Sequence, residues 1–148
     1  MRIMSERFAD IDPVLTALQE LRRGFYVIGF HAGDDVSLMT ADSVMQVSLV
    51  PLLVAVPIKN EAETLRHLQE SGTLTVNVLA DDPTESAFGS SGPQNEERFE
   101  LGEHTGCPIL REATAWFECR VRMTVPVGDH TLVVSRVIDG GLRRIGSR

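Results

Sequence analysis

FYVIGFHAGDDVSLMTADSVMQVSLVPLLVAVPI, residues 25–58, is the stretch whose reading decides the fold. Apolar and β-branched residues crowd into four short runs, Phe25 to His31, Val36 to Ala41, Val44 to Val50 and Leu52 to Ile58. None carries the 3.6-residue periodicity of a helix, and each is bounded by turn formers. Gly33-Asp34 separates the first two, and Pro51, which cannot donate to a ladder, separates the last two. The reading is four successive strands, an antiparallel meander.

Outward from this stretch the periodicity changes. Upstream, Asp12-Pro13 has the form of a helix start, with Val14, Leu15, Leu18 and Leu21 at helical spacing and Gly24 as the stop. Downstream, Asn60 is expected to cap a second helix, with Glu63 completing a capping box and Leu65 and Leu68 facing inward as far as Gly72. Thr73 to Leu79 reads as a buried strand. Ala80 to Ile109 holds most of the turn formers and reads as a surface excursion with a short helix near Thr84 to Phe88. A last hairpin pairs Thr114–Val125 with His130–Ile138 about Gly128-Asp129. Six or seven antiparallel strands without βαβ alternation predict a mainly β, closed or partly closed barrel with helices at its openings. The chain reads as one domain, residues 1–148.

Composition narrows the function. Apolar residues make up 43% and charged residues 24%, with no apolar run of the roughly 20 residues that span a bilayer. The opening MRIMSERFAD lacks a signal peptide's apolar centre, so the expectation is no membrane and a cytoplasmic protein. A net charge of −7 argues against nucleic acid. Cys107 and Cys119 are too few for a disulfide framework and read as inert buried thiols; His31, His67 and His104 have no ligand-like spacing, so no metal is expected. The last seven residues, LRRIGSR, form either a solvated tail or an arm reaching a ligand phosphate.

Three ordered segments resemble the flavin reductase-like, FMN-binding split β-barrel family. LMTADSVMQVSLVPLLVAV (38–56) is similar to its Gly-Met-Thr-x-Asn-Ser and Ser-Leu-x-Pro-Pro-Leu pair, ETLRHLQESGTLTVNVL (63–79) to its helix and Asn-Val-Leu strand, and GCPILREATAWFECRV with GDHTLVVSRV (106–121, 128–137) to its Ala-Trp-x-Glu-Cys and Gly-Asp-His-Thr-Leu. The resemblance implies a split-barrel homodimer that binds FMN or FAD at the subunit interface, takes hydride from NADH or NADPH, and passes reduced flavin to a monooxygenase component. In such proteins the cofactors carry the chemistry, so no triad or metal cluster is needed.

Carried over position by position, the resemblance puts Thr40, Asp42 and Ser43 against the flavin. Ser48 and the backbone about Pro51 would line the ring edge. Asn60 and Thr64, with the N-terminal amides of the second helix, would lie at the phosphate end; Asn77 is a further contact, and His130 borders the nicotinamide or flavin ring. Each has a plainer reading. Thr40 and Ser43 can be strand and turn polars, Asn77 a buried amide spent on backbone, His130 a solvated turn residue, and Trp116 core or dimer contact.

Four positions depart from the family pattern. Leu38 stands for a glycine, Asp42 for an asparagine able to donate, and Glu61 and Glu63 bring acids to the phosphate end, with Lys59 an offset. These departures motivate the rival readings, a split-barrel protein that binds another small molecule without redox chemistry, or a docking partner of a monooxygenase.

Overall fold

The protein, described here by a computed structural model over residues 8–82 and 96–143, is built on a seven-stranded antiparallel sheet and a separate two-stranded ribbon. Helix α1 spans Phe8–Leu18, followed by β1 (Tyr26–Ala32), β2 (Asp35–Ala41), β3 (Met45–Ser48) and β4 (Leu53–Lys59). Then come α2 (Glu63–Ser71), β5 (Thr73–Val78), β6 (Phe99–Leu101), β7 (Pro108–Leu110), β8 (Ala115–Val127) and β9 (His130–Leu142).

The four opening strands are where the sequence put them, but they are not a meander. The order across the sheet is β2-β1-β5-β8-β9-β4-β3, so β1–β2 is a hairpin at one edge and β3–β4 a hairpin at the other. Only Asp42, Ser43 and Val44 link the two edges. A flat sheet would set β2 and β3 about 29 Å apart, six spacings of ~4.8 Å, whereas that link reaches no more than about 15 Å. The sheet therefore curls until its edges approach, which is the split barrel.

Inside the curl lie Ile28, Phe30, Val54, Val56, Ile58, Leu74, Val76 and Val133, closed at one end by Leu65 and Leu68 of α2. Complete burial of each such side chain stabilises the fold by roughly 1.5–3 kcal/mol. A smaller second core forms on the outer face of β1, where Val27 meets Leu79, Phe99, Leu110 and Ala113 beneath the β6–β7 ribbon. This ribbon lies in the region read as an irregular excursion, and its two three-residue strands are too short to show a period. The helix expected near Thr84 to Phe88 lies outside the described residues.

Helix boundaries correct the sequence reading in two places. Pro13 falls inside α1, which starts at Phe8 and ends at Leu18 in tight turns rather than at Gly24. In α2 the N-cap is Ala62, without a side-chain cap, so the Asn60–Glu63 capping box does not form; Gly72 does close the helix, in the left-handed conformation. The β8–β9 hairpin turns on Gly128-Asp129 as expected, with Gly128 at φ +63° in the first turn position.

Candidate functional site

At the open end of the barrel a cavity of about 550 Å³ opens where β2 ends and β4 meets β9. Phe25, Met39, Pro57 and Ile58 form its apolar wall. Thr40, Asp42, Ser43, Asp82 and His130 are its polar lining, and Arg23 and Lys59 supply positive charge against the two carboxylates. A second hollow of about 440 Å³ continues past Arg22, Arg23 and Val44 to Met45 at the start of β3. Apolar walls with a few convergent polar groups, in this volume range, are what small-molecule sites have in common.

The local fold explains each position. The Gly24 N–H bonds the Asp42 carbonyl, tying the segment before β1 to the β2–β3 link, so Arg23 and Asp42 meet at the mouth. Their side chains pair at 3.5 Å, Arg23 Nε to Asp42 Oδ2. The negative charge that the sequence flagged at Asp42 is thus partly offset on the spot. His130 is the first residue of β9, opposite Lys59 at the end of β4. Its Nδ1 donates to the Asp129 carboxylate at 2.7 Å, leaving Nε2 without a partner among the described residues. That hydrogen bond, with the charge of His130 and the nearby Lys59, holds the Asp129 carboxyl below its ordinary range.

Three of the eight carried-over cofactor contacts line the cavity with the candidate catalytic histidine, and five do not. Thr40, Asp42, Ser43 and His130 come together in the cavity. Asn60 does not line it. Its Nδ2 donates to the Gly128 carbonyl at 3.1 Å and its Oδ1 accepts from Thr131 Oγ1 at 2.6 Å, which clamps the hairpin tip that carries His130. Thr64 is buried in the first turn of α2, away from the cavity lining. Ser48 ends β3 and Pro51 sits in the exposed turn beyond it, after a cis Val50–Pro51 bond; both are outside the two hollows.

Asn77 is corrected outright. It is fully buried, and its amide is consumed by backbone: Nδ2 donates to Val27 O and Pro108 O, and Oδ1 accepts from the Leu110 N–H at 2.8 Å. It fastens β7 to the sheet and cannot also reach a ligand.

The departures shrink once placed. Leu38 packs on the second core with Val36 and does not line the cavity. Glu63 turns to Arg66 at 2.6 Å, a contact that lowers its carboxyl pKa, and neither Glu61 nor Glu63 lines either hollow. Arg23 and Phe25, by contrast, escaped the sequence reading. The one available signal was the Arg22-Arg23-Gly24 triplet set immediately before the first strand.

The flavin reductase like domain model matches residues 18–147. The chain belongs to this family. An NADH-dependent flavin reductase from a Rhodococcus species is 33% identical, over 90% of this chain and 82% of its own. Other curated relatives are longer: the chain spans 25% of a diflavin flavoprotein of Synechocystis and 58% of a flavin reductase (NADH) of Kitasatospora aureofaciens. Among solved structures, BorF, the flavin reductase component of a bacterial two-component tryptophan halogenase, superposes with a TM-score of 0.77 at 28% identity, covering 90% of this chain and 88% of that one. The Streptomyces globisporus NADH:FAD oxidoreductase SgcE6, in complex with NAD and FAD fragments, gives 0.78 at 26% identity, with 90% and 83% covered. The flavin reductase family thus has its split barrel here, with the curl traced above.

Proposed function

We propose that this protein is an NAD(P)H-dependent flavin reductase, taking FMN or FAD and handing reduced flavin to an oxygenase partner. The carrying observation is a cavity that gathers hydroxyls, a histidine, and two cations beside two carboxylates along an apolar wall. A flavin suits that set. Phe25, Met39 and Pro57 offer a dry face for the ring, Thr40 and Ser43 hydroxyls reach polar ring edges, and Arg23 with Lys59 offsets phosphate charge. A bound flavin would supply the redox chemistry. His130, held by Asp129, would border its ring and limit the approach of the nicotinamide. Arg23 keeps the Asp42 carboxylate from acting as an uncompensated charge on reduced flavin. The relatives named as NADH-dependent reductases, and the one bound to NAD and FAD fragments, support this assignment.

The homodimer belongs to the same proposal. Val14, Leu15, Leu18 and Leu21 stay 44–62% exposed although they form one apolar stripe, and Leu49 and Val50 protrude at 72% and 88%. Apolar surface of this extent marks an interface, and a second copy pressed against the β3 edge would bring Ser48 and Pro51 toward a flavin extending from the cavity. No helix among the described residues is long and apolar enough to cross a membrane. A cytoplasmic site suits two free, buried cysteines.

The test is an absorbance spectrum of purified protein before and after FMN and NADH, with light scattering for mass. The expected result is micromolar FMN binding, NADH oxidation dependent on added flavin, and a dimer mass. Protein that neither quenches flavin fluorescence nor consumes NADH would overturn the assignment. The non-redox reading drew on Leu38, Asp42, Glu61 and Glu63; of these only Asp42 lines the cavity, where Arg23 pairs with it.

A further inference from the structure

Away from the cavity, the fold gathers three ligand-type residues whose sequence separation concealed them. Glu118 on β8 and Asp139 on β9 are directly opposed across the ladder, an arrangement in which like charges repel. Glu118 is 1% exposed, and a carboxylate that deeply buried ordinarily has a cation or a metal beside it. Its Oε1 instead accepts from three neutral donors of the β6–β7 loop: the His104 N–H at 3.1 Å, the Thr105 N–H at 2.8 Å and the Thr105 hydroxyl at 2.7 Å. Oε2 has only the His104 N–H at 3.5 Å, the outer limit of a hydrogen bond. Asp139 spends Oδ1 on the Gly140 N–H at 2.9 Å, while its Oδ2 lies 3.3 Å from His104 Nε2. His104 Nε2 and Asp139 Oδ2 thus face each other, Glu118 Oε2 has only its one long contact, and one ligand atom from each of the three residues lies within 4.8 Å of the other two.

We propose that His104, Glu118 and Asp139 form a structural divalent-metal site, selective for zinc-like ions, which pins the β6–β7 loop to the β8–β9 hairpin. Bonds of ~2.1 Å about a tetrahedral ion put neighbouring ligand atoms roughly 3.4 Å apart, so the His104–Asp139 spacing already suits one. Both side chains are about half exposed and free to close on Glu118. The hydrogen bonds on Glu118 Oε1 and Asp139 Oδ1 aim the remaining oxygens, as outer partners do at metal sites. Gly102 belongs to the same device, because a Cβ there would run into the Glu118 carboxyl. An imidazole with two carboxylates favours Zn²⁺ over Mg²⁺, and a water completes the shell. None of the three residues lines the flavin cavity, so the role is structural and independent of the redox assignment.

Calorimetric titration and thermal unfolding with Zn²⁺, on the full chain and on His104→Ala and Asp139→Asn, test the site. Both substitutions are at exposed positions and leave the fold intact. The expected result is one Zn²⁺ per chain with a raised Tm, affinity reduced by more than about tenfold in either variant, and no comparable shift with Mg²⁺. Flavin reduction by His104→Ala stays at the wild-type rate. Absence of Zn²⁺ binding to the wild-type chain, or equal binding by both variants, would overturn the proposal.

Discussion

One row of directly opposed residues crosses the sheet from Thr40 on β2 through Val27 on β1 to Asn77 on β5. Its two ends hold polar side chains on the same face of the sheet, and they meet opposite environments. At Asn77 the β6–β7 ribbon lies over the face and presents backbone N–H and C=O groups that saturate the amide. Thr40 instead stays exposed and lines the cavity. Polarity on a strand does not mark a site by itself. Unspent hydrogen-bonding capacity does, and that depends on what covers the face.

The largest effect belongs to the covered end. Replacing Asn77 by leucine removes the partner of the buried Leu110 N–H, while the Pro108 carbonyl keeps the Thr75 hydroxyl. Leaving that N–H buried and unpaired costs on the order of 2 kcal/mol. Urea unfolding measures it, and FMN affinity of the protein that remains folded stays unchanged. A loss of FMN binding without a loss of stability would return Asn77 to the ligand site and erase the contrast.

At the open end the pattern reverses. His130→Ala removes a half-exposed side chain with a single hydrogen-bonded neighbour, so Tm scarcely moves. The rate of NADH-dependent flavin reduction should fall about tenfold, equivalent to ~1.4 kcal/mol of barrier. Equal falls in Tm and rate would make His130 a fold residue like Asn77.

This contrast also accounts for what the sequence could convey. Strand runs such as Phe25–His31 were legible because period and turn chemistry are local, and the expected β1 and β4 lie within a residue of those observed. The order of the strands was not, since the Asp42–Val44 link that forces the sheet to curl looks like any hairpin turn. Thr40, Asp42, Ser43 and His130, which motif resemblance named, line one cavity. Arg23 was missed because its role arises from the Gly24–Asp42 backbone bond, a contact between distant positions. Asn77 and Asn60 spend their amides on the protein itself, which the sequence could not show, because such an amide and a ligand-binding one look alike until the groups around them are known.

Asp42 sharpens the cavity side more finely. Asp42→Asn restores a donor and removes a charge only partly offset by Arg23 at 3.5 Å. Screened by water, the gain in affinity for reduced flavin should be a few-fold, about 1 kcal/mol or less. Fluorescence titration under anaerobic conditions reads it. A wholly unchanged affinity would mean that Arg23 already cancels the carboxylate.

The smallest effect separates α2 from the site. Arg66 bonds Glu63 at 2.6 Å and Glu70 at 3.0 Å on the exposed face of the helix, and the first contact lowers the Glu63 carboxyl below its usual 4.5. A lowered carboxyl stabilises the folded state at pH above the unfolded value, and that contribution disappears as pH falls through the lower, folded value. Arg66→Ala should therefore be slightly less stable than wild type at neutral pH, and the gap between the two should close on acidification below pH 4.5, where Glu63 becomes protonated in both. Urea midpoints across that range measure the gap. FMN affinity provides the sharper half of the experiment. If Glu63 freed from Arg66 could swing to the flavin phosphate, Arg66→Ala would weaken FMN binding at neutral pH; because Glu63 lines neither hollow, the affinity should hold, and a weakening would move the phosphate end of the site from Arg23 and Lys59 to the start of α2.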